Sequence, residues 1–397
     1  MAKVIMHIDM NAFFVRCEEI RDPSLEGKPV LIGHQGRSGI VSTASYAARK
    51  YGCHSGQPMF QALQQCPDAL VIAPDFAYYQ VMSNSFRAYL HRFAPILEQA
   101  SIDECYCDVS APLAKYQGRP SDFFHEIQDG LFRETKLRCS IGVAPTKWLA
   151  KMGSDLRKPM GITVIRKRDI KAILYPLPID AFWGIGKKTT PKLKAQGIST
   201  IGDLASFLKR SPEEAQEEFG KFYFEIVSYL EGTSSDVVET EDPDPKSIGN
   251  QETLMENFSD EADIAPVLFR LSQEVSARAK KAGFLGRSVT LQVKDTEFRL
   301  HSHSKDIRDG TNDAQEIYAK CIEMYRTYFE GDPIRLLGVT LGRLFDPKKE
   351  TVQMSLWNYP QYEEMDRTKL LINDWNRSLE KPSLMRASDL KRKKKEE

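Results

Sequence analysis

Three carboxylates carry the first chemical signal. Asp103 and Glu104 are adjacent in SIDECYCD (101–108), and Asp9 closes the apolar stretch KVIMHID (3–9). Carboxylates among strand-forming residues are seldom buried without a partner. In a straight strand Asp103 and Glu104 would point to opposite faces, because the side-chain period is two. A hairpin at 102–105 would turn both toward one site, and a sheet can set Asp9 beside them. Three acids so close repel one another unless a cation lies among them. Few, hard oxygen ligands suit Mg²⁺ that keeps part of its water and binds substrate phosphates. Two such ions about 3.5–4 Å apart can clamp an in-line phosphoryl transfer. Each acid could instead cap a helix or pair with a surface arginine, and residue types alone do not separate these readings.

Other residues fit an anionic substrate. Tyr46 and Arg49 are three apart in STASYAARK, so a helix puts them on one face near its N-terminus, where phosphate binds readily. Lys158, in DLRKPMG, ends another helix and can reach the same anion. Of Phe13 and Phe14, one belongs to a core and the other can lie against a sugar, where a ring leaves a 2′-hydroxyl neither room nor a hydrogen-bond partner. WGIGKKTTPKLKAQGISTIGDL (183–204) reads as a hairpin feeding a basic helix. Gly184 and Gly186 let backbone N–H groups approach phosphate, and Lys187 and Lys188 add charge, as in a helix–hairpin–helix that grips a nucleic-acid backbone. Residues 278–299 hold six basic side chains, Arg287, Lys294 and Arg299 among them, against Asp295 and Glu297, which suits backbone tracking. Solvated surface charge accounts for any one of these as well. Cys105 and Cys107, or His301 and His303, have no third ligand nearby for a zinc site.

These residues need elements to place them. A chain of 397 residues, 41% hydrophobic and 28% charged, is globular and long enough for two to four domains. Its balanced formal charge of +0 leaves the distribution to decide about nucleic acid. Seven scattered cysteines fit a reducing cytoplasm rather than a disulfide framework, and no stretch approaches the roughly 20 apolar residues of a membrane helix. Strands at 3–9, 29–33, 39–44, 70–74, 96–101, 105–109, 138–143 and 161–165 alternate with helices after Asn11 and at 45–52, 76–93, 121–135 and 146–156. That pattern predicts a mixed α/β sheet with helices on one face. Short helices occupy 168–232, and acidic, Pro-containing 233–246 reads as a linker. A second α/β unit has strands in SVTLQV, EFRLHSH and RLLGVTLGRL and helices at 264–282 and 311–329. A polar tail ends in KRKKKEE.

As a set and in this order, HIDMNAFFVRCEE, DPSLEGKPV, STASYAARKYG, SIDECYCDVS, SIGVAPTKWLAKMGSDLRKPMG, WGIGKKT and KSIGNQET resemble the Y-family translesion DNA polymerases, most closely the bacterial DNA polymerase IV type. The resemblance spans most of residues 1–345. It implies a multi-domain α/β right-hand polymerase. A mixed-sheet palm would be 1–10 and 75–167, small fingers 11–74, and a helical thumb with its helix–hairpin–helix 168–232. A linker at 233–246 would lead to an α/β little finger at 247–345 and a tail at 346–397. Asp9, Asp103 and Glu104, with the Met10 carbonyl, would hold two Mg²⁺, for which Mn²⁺ could substitute. Phe14 would be the steric gate with Phe13 beside it, and Tyr46, Arg49 and Lys158 the triphosphate contacts. Partners would be primer–template DNA, deoxynucleoside triphosphates and a sliding clamp hooked by Gln353, Leu356 and Trp357, the protein itself being a cytoplasmic, nucleoid-associated monomer. Low fidelity without proofreading would follow. The family commonly has an acid where this chain has Asn11, and Ala-Tyr-Leu-Asp where this chain has Cys-Tyr-Cys-Asp. A nucleotidyl cyclase would share the palm and paired acids but need neither the 183–204 hairpin nor the basic second unit. A non-catalytic DNA- or clamp-binding relative would be expected to have lost one of the three acids.

Overall fold

The alternation in KVIMHIDM produces a strand, β1 (Ile5–Met10), with every residue buried. In the computed structural model, which describes residues 3–241 and 243–349, there follow α1 (Phe13–Arg21), β2 (Val30–Gly33), β3 (Val41–Ala44), α2 (Tyr46–Arg49), α3 (Met59–Gln65), β4 (Leu70–Ile72) and α4 (Phe76–His91). Next come β5 (Leu97–Gln99), β6 (Glu104–Asp108), α5 (Ser110–Lys115), α6 (Pro120–Thr135), β7 (Cys139–Ala144), α7 (Lys147–Leu156) and β8 (Ile162–Val164). A run of short helices, α8 (Ile170–Ile173), α9 (Thr189–Ala195), α10 (Ile201–Arg210), α11 (Pro212–Phe219) and α12 (Phe222–Glu231), completes the first of two units. The second begins at Pro245 and contains β9 (Ser247–Phe258), α13 (Glu261–Ala282), β10 (Leu285–Asp295), β11 (Leu300–Thr311), α14 (Ala314–Tyr328) and β12 (Ile334–Phe345).

The first unit is built on a sheet of order β5-β6-β1-β7-β8, with β1 at its centre. Its pairings are antiparallel except β7 with β8. Helices cover both faces, not one as the alternation of elements suggested. Met6, Ile8, Cys105, Cys107, Ile141 and Val143 point into a core closed by α4 and α6. Ile5, Tyr106 and Ala144 point the other way, into a core with α7 and the helices that follow it. The second layer is possible because β7 presents small residues there: Ser140, Gly142 and Ala144. A Cβ on Gly142 would fall on the Ala150 carbonyl oxygen and the Ser154 nitrogen of α7. Opposite it, a Cβ on Gly153 would lie 3.2 Å from the Gly142 Cα. Two facing glycines therefore let helix and strand backbones meet directly.

A smaller sheet, β3-β2-β4, packs with α2 and α3 around its own core of Leu31, Val41, Ala44, Met59 and Ala62. The short helices share the α7 core. The buried Trp148 ring stacks on Tyr229 with centroids 4.9 Å apart, and its indole N–H donates to the Trp183 carbonyl at 3.0 Å. The start of the expected linker is also tied down. Val238 is buried in that core, the Lys147 N–H donates to Ser235 O at 3.1 Å, and the Glu239 N–H donates to Glu98 at 2.8 Å.

The second unit is a four-stranded antiparallel sheet, order β11-β10-β12-β9. Val289, Leu291 and Val293 face the core with α13 and α14, which leaves Ser288, Thr290, Gln292 and Lys294 on the opposite face. β9 was not expected: Gly, Asn and Gln interrupt its alternation, and pairing with β12 in the register Gln251↔Gly338 makes it a strand. Among the described residues no helix is long and apolar enough to cross a membrane.

The close approach of α7 to β7 is directly testable. Gly142→Ala forces the helix off the sheet and is expected to cost at least the ~1–3 kcal/mol of core overpacking, read as a lower midpoint of urea unfolding.

Candidate active site

Strand register brings the acids together. Asp9 lies opposite Glu104 in the β1–β6 pair, and residues directly opposite in an antiparallel pair project from the same face. Asp103 sits one residue earlier, in the turn between β5 and β6. Its carbonyl accepts the Met10 N–H at 3.0 Å, and its carboxylate accepts the Ser101 hydroxyl at 2.6 Å. The turn thus does what the sequence requires of it, and all three acids border one cavity of about 310 Å³ with Met10, Phe14, Tyr46, Arg49 and Lys158. Ser42, Thr43 and Ser55 also border it; nothing in their spacing had singled them out.

Two ammonium groups answer the acids. Lys158 Nζ lies 2.7 Å from Asp9 Oδ2 and 2.7 Å from Asp155 Oδ1. Lys151, on α7, lies 2.7 Å from Glu104 Oε1, 3.2 Å from Asp9 Oδ2 and 3.5 Å from Asp155. Lys151 was not anticipated, because a lone lysine within an amphipathic helix reads as solvated. Asp155 four residues on gave no separate signal, because a solvated helix face shows the same spacing. The Lys151 side chain is only 9% exposed. Burial alone would lower its pKa, but Asp9, Asp155 and Glu104 outweigh burial and raise it, so it stays charged.

Burial pushes the Asp9 carboxyl up to about 7, with Glu104 adding to the push and Lys158 and Lys151 opposing it. Burial raises Glu104 too, but the His7 ring, the Asp9 carboxyl and the Lys151 ammonium beside it outweigh burial and hold Glu104 below its ordinary value. Burial also raises Asp103. His7, fully buried, lies 3.5 Å from Glu104, and burial lowers its pKa. Among the described residues no three acid, His or Cys side chains close around a single point as a ready-made metal cage. The donor chemistry nevertheless fits a hard divalent cation. The donors are carboxylate oxygens, and the two ammonium groups already stand where positive charge is recruited.

The remaining walls follow the sequence closely. Phe13 is core, 2% exposed. Phe14 borders the cavity, stacked on Tyr79 at 4.5 Å and edge-on to Phe76. The Arg49 guanidinium lies 4.8 Å from the centre of the Tyr46 ring and donates from Nε to the Ala44 carbonyl. Among the described residues the buried Tyr46 hydroxyl has no hydrogen-bond partner, an orphan that an anionic oxygen would satisfy. Asn11 is buried. Its amide donates to Ser140 Oγ at 2.9 Å, and its carbonyl oxygen accepts the Met160 N–H at 2.8 Å.

Residues proposed for DNA lie elsewhere. Gly184 takes φ +112° with its α-carbon against the Phe222 ring, whereas space around Gly186 is open, and both precede α9 with Lys187 and Lys188 exposed. In the second unit Lys294 lies on the polar face of the sheet and Arg287 over the Phe345 ring. Arg299 is engaged locally, 2.9 Å from Asp295 and 3.1 Å from Glu297. The two acids counted against the basic patch therefore pair with one of its cations. Gln353, Leu356 and Trp357 lie outside the described residues.

Comparison with known proteins bears on the family of the chain. The chain matches the impB/mucB/samB family over residues 8–155, that family's C-terminal domain over 245–356 and the IMS family HHH motif over 167–198. It is 34% identical to DNA polymerase IV 1 of Halalkalibacterium halodurans, covering 98% of this chain and 94% of that one. It is 34% identical to DNA polymerase IV 1 of Bacillus subtilis, covering 90% and 86%. Among solved structures, a Y-family DNA polymerase chimera of Dbh and Dpo4 superposes with a TM-score of 0.76 at 27% identity, covering 86% of this chain and 99% of that one.

Asn11 gives a test of local architecture. Asn11→Asp keeps an acceptor for the Met160 N–H and, at a pH low enough to keep the new buried carboxyl neutral, is expected to change stability by less than about 1 kcal/mol. Asn11→Leu strands that N–H and is expected to cost about 1–3 kcal/mol. Denaturant unfolding distinguishes the two.

Proposed function

The chain belongs to the Y-family DNA polymerases of the DNA polymerase IV type and is a DNA-directed DNA polymerase; from that premise we propose that it performs low-fidelity translesion synthesis. It would extend a primer 3′-OH with deoxynucleotides and, lacking any exonuclease signature in its sequence, do so without proofreading. The observation that carries the reading is the register of Asp9 against Glu104, with Asp103 in the adjoining turn, on a cavity whose other wall holds Tyr46, Arg49 and Lys158. Low fidelity and lesion tolerance rest on the family and on the smallness of the β3-β2-β4 subdomain that would form the fingers.

In this proposal Asp9, Asp103, Glu104 and the Met10 carbonyl hold two Mg²⁺, replaceable by Mn²⁺. When bound, these ions lower the pKa of the primer hydroxyl and stabilise charge on the α-phosphate and the pyrophosphate leaving group. The 3′-oxygen forms its bond to the α-phosphorus as the bond to the β-phosphate oxygen breaks. Arg49 and Lys158 bind the β and γ phosphates and offset the charge that develops there. Tyr46 donates its unpartnered hydroxyl to a phosphate oxygen. The face of Phe14 underlies the sugar and leaves a 2′-hydroxyl neither space nor a partner.

The domain division proposed is palm 1–10 and 75–167, fingers 11–74, thumb 168–232 and little finger 247–345. The hairpin around Gly184 and Gly186, with Lys187 and Lys188, grips the primer–template backbone, and Arg287 and Lys294 add contacts from the little finger. The protein acts as a monomer near the nucleoid, with the 353–357 segment hooking a sliding clamp.

Primer extension tests the core of this reading. With Mg²⁺ and four deoxynucleotides the wild type adds nucleotides to a labelled primer, and Glu104→Ala adds none above the enzyme-free control. Equal extension by both would move the chemistry away from this cavity. In the same assay Phe14→Ala is expected to raise relative ribonucleotide incorporation by about 10²-fold, the scale on which one hydroxyl is rejected by shape. Unchanged sugar discrimination would remove Phe14 from that role.

A further inference from the structure

We infer that Lys151 and Asp155 form an exchange pair for the carboxylate cluster. Lys151 neutralises Asp9 and Glu104 while no divalent cation is bound, and Asp155 takes over the ammonium groups when a cation occupies Asp9. The inference rests on the assignment of Asp9, Asp103 and Glu104 to metal holding.

Both lysines converge on one oxygen. Lys158 and Lys151 lie 2.7 and 3.2 Å from the same Asp9 Oδ2. An oxygen engaged by two ammonium groups can ligate a cation only after at least one withdraws. Lys158 has somewhere to go, since its side chain is 25% exposed and the proposed triphosphate lies before it. Lys151 has not. A buried ammonium left without a carboxylate is strongly unfavourable, and the Lys151 side chain is only 9% exposed. Glu104, 2.7 Å away, is itself assigned to the metal, which leaves Asp155, already 3.5 Å from Lys151, as the alternative.

Asp155 is suited to the second half of the exchange. It stands one turn from each lysine, at i,i+4 from Lys151 and i,i+3 before Lys158, and pairs with both. Its side chain is 44% exposed, so it can accept either partner without a large desolvation cost. It borders the cluster without belonging to it. Neither Lys151 nor Asp155 touches the proposed substrate, so both are positioning residues. Because a cation on Asp9 meets two ammonium groups already on that carboxylate, the nucleotide-free site binds divalent metal weakly. Once triphosphate draws Lys158 forward, one competitor for Asp9 is gone, and metal and nucleotide favour each other's binding.

Mn²⁺ titration of the full-length protein without DNA or nucleotide, with free Mn²⁺ followed by electron paramagnetic resonance, tests this directly. Lys151→Met is expected to bind Mn²⁺ more tightly, by on the order of ten-fold, because a positive charge beside the ligand is gone. Asp155→Asn is expected to bind it several-fold more weakly, because the ammonium groups lose their alternative. Asp9→Asn is expected to lose binding. Thermal unfolding supplies the companion readout: Lys151→Met melts below wild type in chelator, and added Mn²⁺ raises its midpoint by more than it raises the wild type's. A purely structural lysine would lower the midpoint equally with and without cation. If Asp9→Asn loses binding while Lys151→Met binds no tighter or Asp155→Asn no weaker, the exchange pair is wrong and the metal assignment stands. If wild type and Asp9→Asn bind Mn²⁺ alike, the metal assignment fails and takes the inference with it. Should Lys151→Met not fold even with cation, Asp155→Asn, altered on the exposed rim, decides alone.

Discussion

Paired carboxylates at the end of a central strand must be answered by positive charge, and much of the first unit is arranged to bring that charge in. Asp9 is 5% exposed, on a strand flanked on both sides and covered on both faces. Its two ammonium partners come from, and from just after, a helix laid almost in contact with the sheet. The small residues on one face of β7, with Gly142 against Gly153, permit that approach. Lys151 then arrives from within the helix and Lys158 from just beyond its end. The loop carrying Lys158 is held in turn. The Met160 N–H donates to Asn11 and the Met160 carbonyl accepts from Gln128 at 3.1 Å, so the peptide that follows Lys158-Pro159 is gripped from both sides.

Such a cluster is a poor way to stabilise a fold. Removing several charges from water costs more than their attraction commonly returns, and an apolar core of the same volume would hold the sheet as well. Burial raises Asp9, whereas the groups around Glu104 outweigh burial and depress it, so two like groups are driven apart by their environments. That pattern is expected where a site is kept ready for a ligand of opposite charge.

Much of this could be read from sequence, for identifiable reasons. The need for a turn at Asp103–Glu104 followed from the two-residue period of a strand, and the long helices α4 and α6 followed from their apolar faces. Lys151 was hidden because nothing in one dimension distinguishes a lysine facing a carboxylate from one facing water. The second helical layer was hidden because Ser140, Gly142 and Ala144 read as a weak strand face when they are in fact a seat for α7. β9 was hidden because its partner strand, not its own alternation, makes it a strand. Asn11 looked like a departure from the family at an acidic position. In the structure what matters there is an acceptor for the Met160 N–H, which an amide provides as well as a carboxylate. The Arg299 charge looked available until its turn placed Asp295 and Glu297 beside it.

The two walls of the cavity are built on opposite principles. The ionic wall presents acids with more than one available partner, Asp9 with two lysines and Glu104 between Lys151 and His7, and Asp155 beside it pairs with the same two lysines. The aromatic wall has no such freedom. Phe14 is stacked on Tyr79, and Tyr79 is fully buried with its hydroxyl donating to Glu18 at 2.8 Å. Glu18 lies 3.5 Å from Arg21, which pairs with Asp75 at 2.8 Å, and Asp75 caps α4 by accepting the Tyr78 N–H. The ring is thus anchored through α1 to the start of α4. The division follows from the tasks proposed for each wall. A phosphoryl transfer changes the charge in the site at every turnover, so the groups that answer it must be able to change partners. Rejection of a hydroxyl by shape works only while the rejecting surface stays still, and a ring held by two helices, a buried tyrosine and a capped helix end meets that condition.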